Sequence, residues 1–378
     1  MYTLHLLSLP HAKITKDFVH CAFTQKILNM SKMIKENMKE YNLITYWTHW
    51  WKPYGEFVET FSQEDFDRIY PKDHHTNFFD STNSEGWRIY QENTIKAIKE
   101  RLTWKDIILI SYWWAHEPIA AALWIPAIEM WIGYPSSMKR RHRVFESYAQ
   151  MYYHYWMENN KVPSQYDAVI PNYFDVDDFD FKKKCDEKDP YFLFVGRSSW
   201  DKWRGILIDL ALLTWIKIKF AGQWPESIEK SIKEKKAEHL CEHIWWINQD
   251  NKSKIMWWAK ALFVPTQYVE PFAGVQIESL LCWTPIITSD NGVFNETNKH
   301  WLTWFRCRHF ADYLFAVGNI ELIDRKYCRK YAEQNYSLER VSLSYQQYFA
   351  RIVDLLNGKW RYSLEFPINP DYLFHKFQ

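Results

Sequence analysis

The chain has 378 residues, with 47 basic and 46 acidic side chains and a formal charge of +1. That length suits two ordinary domains with full-sized cores. The near-neutral balance gives no electrostatic reason to expect nucleic acid or an anionic membrane as the main partner.

The first twenty residues carry His5, His11, Lys13, Lys16 and Asp17, so no long apolar signal core is present. Residues 3–7, 43–46, 107–111, 125–129 and 168–170 read as strands, and 21–39, 83–101 and 144–157 have helical spacing. The most apolar stretch, 107–135, is interrupted by His116, Glu117 and Glu129, which breaks it too often for a transmembrane helix. Lys139-Arg140-Arg141-His142-Arg143 reads as a solvated loop or helix face. Residues 175–190, DVDDFDFKKKCDEKDP, are polar and without periodicity, as expected of a linker. The rhythm then restarts. Strands are expected at 191–195, 216–220, 243–247, 261–265 and 285–288. Helices are expected near 203–215 and at 249–260, 275–282, 309–317, 325–334 and 338–357. Alternating β and α segments predict an α/β fold of two similar domains, each a parallel sheet with helices on both faces. Cys21, Cys185, Cys241, Cys282, Cys307 and Cys328 form no C-x-x-C pair and no disulfide framework. Free thiols suit a reducing compartment, so the expectation is a soluble cytoplasmic protein.

One count is abnormal. There are 22 Trp and only 10 Gly, where an average composition would give roughly 26 Gly. A codon such as UGA, read as tryptophan where the source reads glycine, would produce this. The idea predicts that Trp occupies positions needing φ > 0 or close backbone approach.

Two constellations carry chemistry. Val195-Gly196-Arg197-Ser198-Ser199-Trp200-Asp201-Lys202-Trp203-Arg204-Gly205 follows a buried strand and precedes a helix. In an open α/β sheet ligands sit at the carboxyl ends of strands. Arg197 and Lys202, five residues apart across that turn, can both reach one diphosphate, and cations in a turn are otherwise simply solvated. Glu270-Pro271-Phe272-Ala273-Gly274-Val275-Gln276-Ile277-Glu278 places one carboxylate in a loop and a second about one turn into a helix. Amides at that helix start bind phosphate oxygens, and carboxylates accept from hydroxyl pairs. The bland alternative is a helix-start Glu in a favourable dipole field.

This E-x7-E, preceded by G-R-x4-K, resembles the retaining GT-B glycosyltransferases of family GT4. Cys282-Trp283-Thr284-Pro285-Ile286-Ile287 resembles the family's C-G-T-P-V-I, and Trp301-Leu302-Thr303-Trp304-Phe305 resembles G-x-T-G-F, with Trp in the glycine places. Lys202-Trp203 resembles K-G, Ile170-Pro171-Asn172 the segment closing the first domain, and Trp114-Ala115-His116-Glu117-Pro118 the histidine-bearing loop facing the donor. The likeness covers most of 105–345. It implies two Rossmann-like domains facing a cleft: 1–173 on the acceptor side, 174–340 holding a nucleotide sugar, and 341–378 as a helix and tail crossing back.

The resemblance also implies roles. Arg197 and Lys202 would neutralise the departing diphosphate. Gly196, Gly274 and Val275 would line the donor, Glu270 would hold hydroxyls of the sugar and Glu278 the ribose, and His116 would reach the sugar from the first domain. Transfer would proceed with retention and without a bound metal or other cofactor. Asp175-Val176-Asp177 offers the D-x-D of the GT-A transferases but reads as a solvated loop. His74-His75 and His142 lack partners at metal-ligand spacing. Tyr152-Tyr153-His154-Tyr155-Trp156 reads as helical core, ending at Trp156 if that residue stands for glycine. Helix 338–357 is expected to pack on the body, with peripheral membrane contact as its other reading. A nucleotide-sugar-binding protein without turnover, or an epimerase, are the alternative functions. The acceptor, a glycan, lipid or protein, has no readable motif around 47–80.

Overall fold

A computed structural model describes residues 1–12, 21–48, 54–70, 82–134, 137–138, 142–159, 164, 166–179, 190–196, 202, 204–222, 225–244 and 249–357. Among these, the first sheet holds β1 (Tyr2–Leu7), β2 (Tyr41–Thr48), β3 (Glu56–Phe61), β4 (Asp106–Ile110), β5 (Ala127–Ile132), β6 (His142–Phe145) and β7 (Ala168–Val169). The order is β3-β2-β1-β4-β5-β6-β7, every pair parallel. The second holds β8 (Phe192–Val195), β9 (Ile218–Ala221), β10 (Cys241–Ile244), β11 (Leu262–Val264), β12 (Ile286–Ser289) and β13 (Trp304–Cys307). Its order is β10-β9-β8-β11-β12-β13, again parallel. Central strands such as β4, Asp-Ile-Ile-Leu-Ile, are buried at every residue. That is the mark of a strand covered on both faces by helices.

The helices supply those covers. Around the first sheet lie α1 (Ala22–Asn37), α2 (Gln63–Ile69), α3 (Glu85–Lys99), α4 (Glu117–Leu123) and α5 (Tyr148–Met157). Around the second lie α6 (Arg204–Thr214), α7 (Pro225–Glu234), α8 (Gln249–Trp258), α9 (Gly274–Leu281), α10 (Phe294–Thr297), α11 (Phe310–Asn319) and α12 (Arg325–Tyr336). The final helix, α13 (Leu338–Leu356), starts at Ser337, whose side chain accepts from Arg340 N. It returns to the first core, where Val341, Tyr345, Phe349 and Ile352 pack with β1 and α1 residues. The two crossings between cores lie side by side: Phe174 N donates to Tyr336 O at 2.9 Å and Leu338 N to Phe174 O at 3.1 Å.

Three expectations are corrected here. His142 and Arg143 are not a solvated face: they lie in β6, and Arg143 is buried between Asp167 (2.7 Å) and Glu158 (2.9 Å). Burial of that guanidinium is tolerated because two carboxylates saturate its donors. Asp175 is likewise buried, pairing with Lys32 at 2.5 Å, and Val176–Phe179 forms a 3₁₀ turn rather than open linker. Helix α5 passes through Trp156 to Met157, with the left-handed residue at Asn159.

Tryptophan does sit on glycine-like backbone elsewhere. Among the described residues, Trp113, Trp124, Trp131, Trp215, Trp283 and Trp301 have φ between 45° and 73°. They outnumber the other non-glycine residues there, Asn159, Lys236 and Ala273. The buried indole N–H groups of Trp87, Trp113, Trp258 and Trp304 find no acceptor among the described residues, although indole N–H groups usually have one when buried. Trp203 lies outside the described residues. Trp124 is the cleanest test: it ends α4 in the left-handed region and is 94% exposed. A left-handed non-glycine residue costs about 1–2 kcal/mol, against about 0.5–1 kcal/mol for the chain entropy glycine adds when unfolded. Trp124→Gly should therefore stabilise the fold by roughly 0.5–1 kcal/mol in denaturant unfolding, while Trp124→Ala, which keeps a Cβ, should gain less.

Candidate functional site

In the second sheet the chain turns from β8 to β9 on one side and reaches β11 on the other. The crevice beyond the carboxyl ends of β8 and β11 is the reversal point at which such sheets bind ligands. Gly196, just after β8, donates its amide to Ala221 O at 2.9 Å. Gly222 beyond β9 has φ +136°, and a Cβ there would lie 2.1 Å from Gly196 O. The two turns can approach this closely only because position 222 has no side chain.

Lys202 lies between β8 and α6 in the chain. Its Nζ donates to Glu270 Oε2 at 2.6 Å and to the Tyr268 hydroxyl at 2.8 Å, both from the loop after β11. It also lies 4.7 Å from the Tyr268 ring centroid, within cation–π range. The lysine side chain is 17% exposed and that of Glu270 6%. The pair is therefore shielded, and each charge depends on the other. The Glu270 backbone is fixed as well. Its carbonyl accepts from Val293 N at 3.0 Å, and Gly292 presses so close that a Cβ would meet Glu270 N at 2.4 Å.

Four residues after Glu270, α9 begins at Gly274. Its N-cap is Ala273, held at φ 56° without a side-chain cap. Alanine brings no oxygen to the first amides, those of Gly274 and Val275, so the positive end of the helix stays available to an anion. Glu278 pairs with Lys252 of α8 at 2.9 Å. Lys252 is buried, though its surroundings in the sequence, Gln-Asp-Asn-Lys-Ser-Lys, resemble any solvated helix. Only the packing of α8 on α9 reveals it. Tyr268 could have been found from its place two residues before Glu270.

The structure thus joins Lys202 to Glu270 and sets Gly274 and Val275 directly after them. Arg197 lies outside the described residues. His116 departs from expectation. Its ring is fully buried in the first domain, and both nitrogens are used. Nδ1 accepts from Tyr112 N at 3.1 Å, so Nε2 carries the proton and donates to Ser8 O at 2.8 Å. Ser8 follows β1, and the 3₁₀ turn Trp113–His116 follows β4, so the ring ties the corresponding reversal point of the first sheet. It presents no nitrogen to a ligand. Burial pushes its imidazole down to about 3.

Comparison with known proteins can now be set beside this geometry. Residues 175–335 match the family Glycosyl transferases group 1. HepE of Anabaena, solved with UDP and glucose, superposes with a TM-score of 0.67 at 12% identity over 93% of this chain and 100% of its own. Sucrose-phosphate synthase of Thermosynechococcus elongatus gives 0.68 at 13% over 94% and 100%. TarM of S. aureus, in complex with fondaparinux, α-GlcNAc-glycerol and UDP, gives 0.65 at 11% over 92% and 100%. No curated protein matches the sequence. The fold is GT-B: two α/β units with parallel sheets. Among the described residues no helix is long and apolar enough to cross a membrane.

The state of His116 has a measurable consequence. Native His116 stays neutral down to about pH 3, while an unfolded histidine gains its proton near pH 6.5. Its contribution is full above pH 6.5 and is lost as pH falls towards 3, at up to about 1.4 kcal/mol per pH unit. The stability difference between the wild type and His116→Asn, measured by urea unfolding, should shrink across that window. A difference independent of pH would show that the imidazole is not held neutral.

Proposed function

We propose that this chain is a glycosyltransferase that moves a sugar from a nucleoside-diphosphate sugar to an acceptor, with retention of configuration. The observation that carries this reading is the Lys202–Glu270 pair at the β8–β11 crevice, beside the uncapped start of α9. The family match over 175–335 and the UDP in the HepE and TarM structures support it.

The diphosphate would lie between Lys202 and the Gly274 and Val275 amides, with Arg197 as the second cation. Negative charge grows on the leaving diphosphate as the glycosidic bond breaks. Fixed cations and amide dipoles stabilise that charge more in the transition state than in the ground state. As phosphate takes over Lys202, the Glu270 carboxylate is released to accept from sugar hydroxyls. Glu278, steadied by Lys252, would accept from the ribose hydroxyls, which bind equally in both states. His116 would act at a distance, by fixing the loop after β1 through Ser8. No side chain is assigned as a covalent nucleophile, and the cations are proposed to serve without a bound metal.

Lys202→Gln keeps a donor for Glu270 but removes the charge. It should lower kcat roughly 10²–10³-fold, the loss typical of one preorganised electrostatic group. Glu278→Ala should raise KM for the donor with kcat nearly unchanged. Both are read from nucleotide release across a panel of nucleotide sugars, with circular dichroism confirming the fold and EDTA expected to leave the rate intact. Wild-type kinetics in both variants would remove the site assignment. Isomerised sugar without transfer would turn the reading into an epimerase, and donor binding without turnover into a binding protein.

A further inference from the structure

The two domains touch through a contact that the donor-site chemistry does not use. Glu296, on α10 of the second domain, reaches the first turn of α5 in the first. Its Oε2 accepts from Tyr148 N at 2.9 Å and its Oε1 from Ala149 N at 2.6 Å. The helix's own cap satisfies the next amides: Ser147 Oγ accepts from Gln150 N at 3.1 Å and Ser147 O from Met151 N at 3.0 Å. Three orphan donors at the start of α5 are thus shared between its own serine, which takes Gln150 N, and a carboxylate of the other domain, which takes Tyr148 N and Ala149 N. A bidentate carboxylate at a helix start gains charge-assisted bonds and the favourable end of the helix dipole.

The second end of this contact leads to the donor loop. Val293 N donates to Glu270 O at 3.0 Å, and Glu296 N donates to Val293 O at 2.8 Å. Thr297, next to Glu296, bonds Gln276 of α9 at 3.1 Å. Short hydrogen-bonded steps therefore connect the Glu270 backbone to the α5 start. Both α5 and α10 follow the carboxyl ends of strands, β6 and β12, on the faces where ligands of parallel sheets lie.

We infer that Glu296 is an interdomain clasp, a positioning residue that holds the first domain at a fixed distance from the donor loop. The inference of a role in turnover rests on the transferase reading above; the clasp itself does not. With the clasp closed, an acceptor carried by the first domain meets the sugar at Glu270 in register. With it open, the nucleotide still binds to the second domain alone, but the reacting atoms are no longer aligned. Alignment errors of about 1 Å cost up to roughly 10²-fold in rate, so the effect falls on kcat rather than on donor binding.

Glu296 is exposed, so its replacement disturbs no core. Small-angle scattering of the full, ligand-free chain should show a larger radius of gyration for Glu296→Ala than for the wild type, and a partial change for Glu296→Gln, which keeps one acceptor oxygen. With the donor that the wild type turns over, kcat of Glu296→Ala should fall at least about tenfold while KM for the donor stays within about threefold. An unchanged radius overturns the clasp. A larger radius with full kcat overturns the positioning role. A larger radius in a chain whose wild type turns over no nucleotide sugar upholds the clasp and removes the transferase reading instead.

Discussion

One ion pair organises the second domain: Lys202 with Glu270, two residues 68 apart in the chain. A shielded pair of this kind sits near break-even for stability, because desolvation offsets most of the attraction. Its consequence is geometric. It brings Lys202, which lies between β8 and α6, against the loop after β11, and that loop runs directly into the start of α9. The same loop receives Val293 and Gly292 from beyond β12. Segments that follow three strands, β8, β11 and β12, thereby meet at Glu270.

Much of this was legible in the sequence, for a physical reason. Strands buried on both faces are continuous apolar runs, and Ile107-Ile108-Leu109-Ile110 or Phe192-Leu193-Phe194-Val195 could hardly be anything else. The loops that follow them declare themselves through Gly, Pro and charge. The strands that escaped notice lie at or near sheet margins and lack a continuous apolar run. β3, Glu-Phe-Val-Glu-Thr-Phe, is an edge strand with charged outer positions, and β6 hides in a basic run. Arg143 looked solvated because its two carboxylate partners, Glu158 and Asp167, are 15 and 24 residues further on.

The site shows the same division. Lys202, Glu270 and Glu278 stood out through their spacing, G-R-x4-K after one strand and E-x7-E after another. Lys252 did not, since it becomes a partner of Glu278 only when α8 packs on α9. His116 was misjudged in role. A histidine after a strand looks like a reaching ligand, yet here both ring nitrogens close a backbone junction between β1 and β4. The tryptophan surplus was visible as a number, but its meaning is conformational. Trp283 and Trp301 lie in the left-handed region, where a Cβ brings strain that glycine escapes.

The central claim is that Lys202, Glu270 and the α9 start share one ligand. The most direct measurement is a crystal structure of the chain soaked with a nucleoside diphosphate. The account predicts the β-phosphate within hydrogen-bond distance of Lys202 Nζ and of the Gly274 or Val275 amide, with the Lys202–Glu270 contact lengthened. A diphosphate bound elsewhere, with that contact still closed, would contradict it.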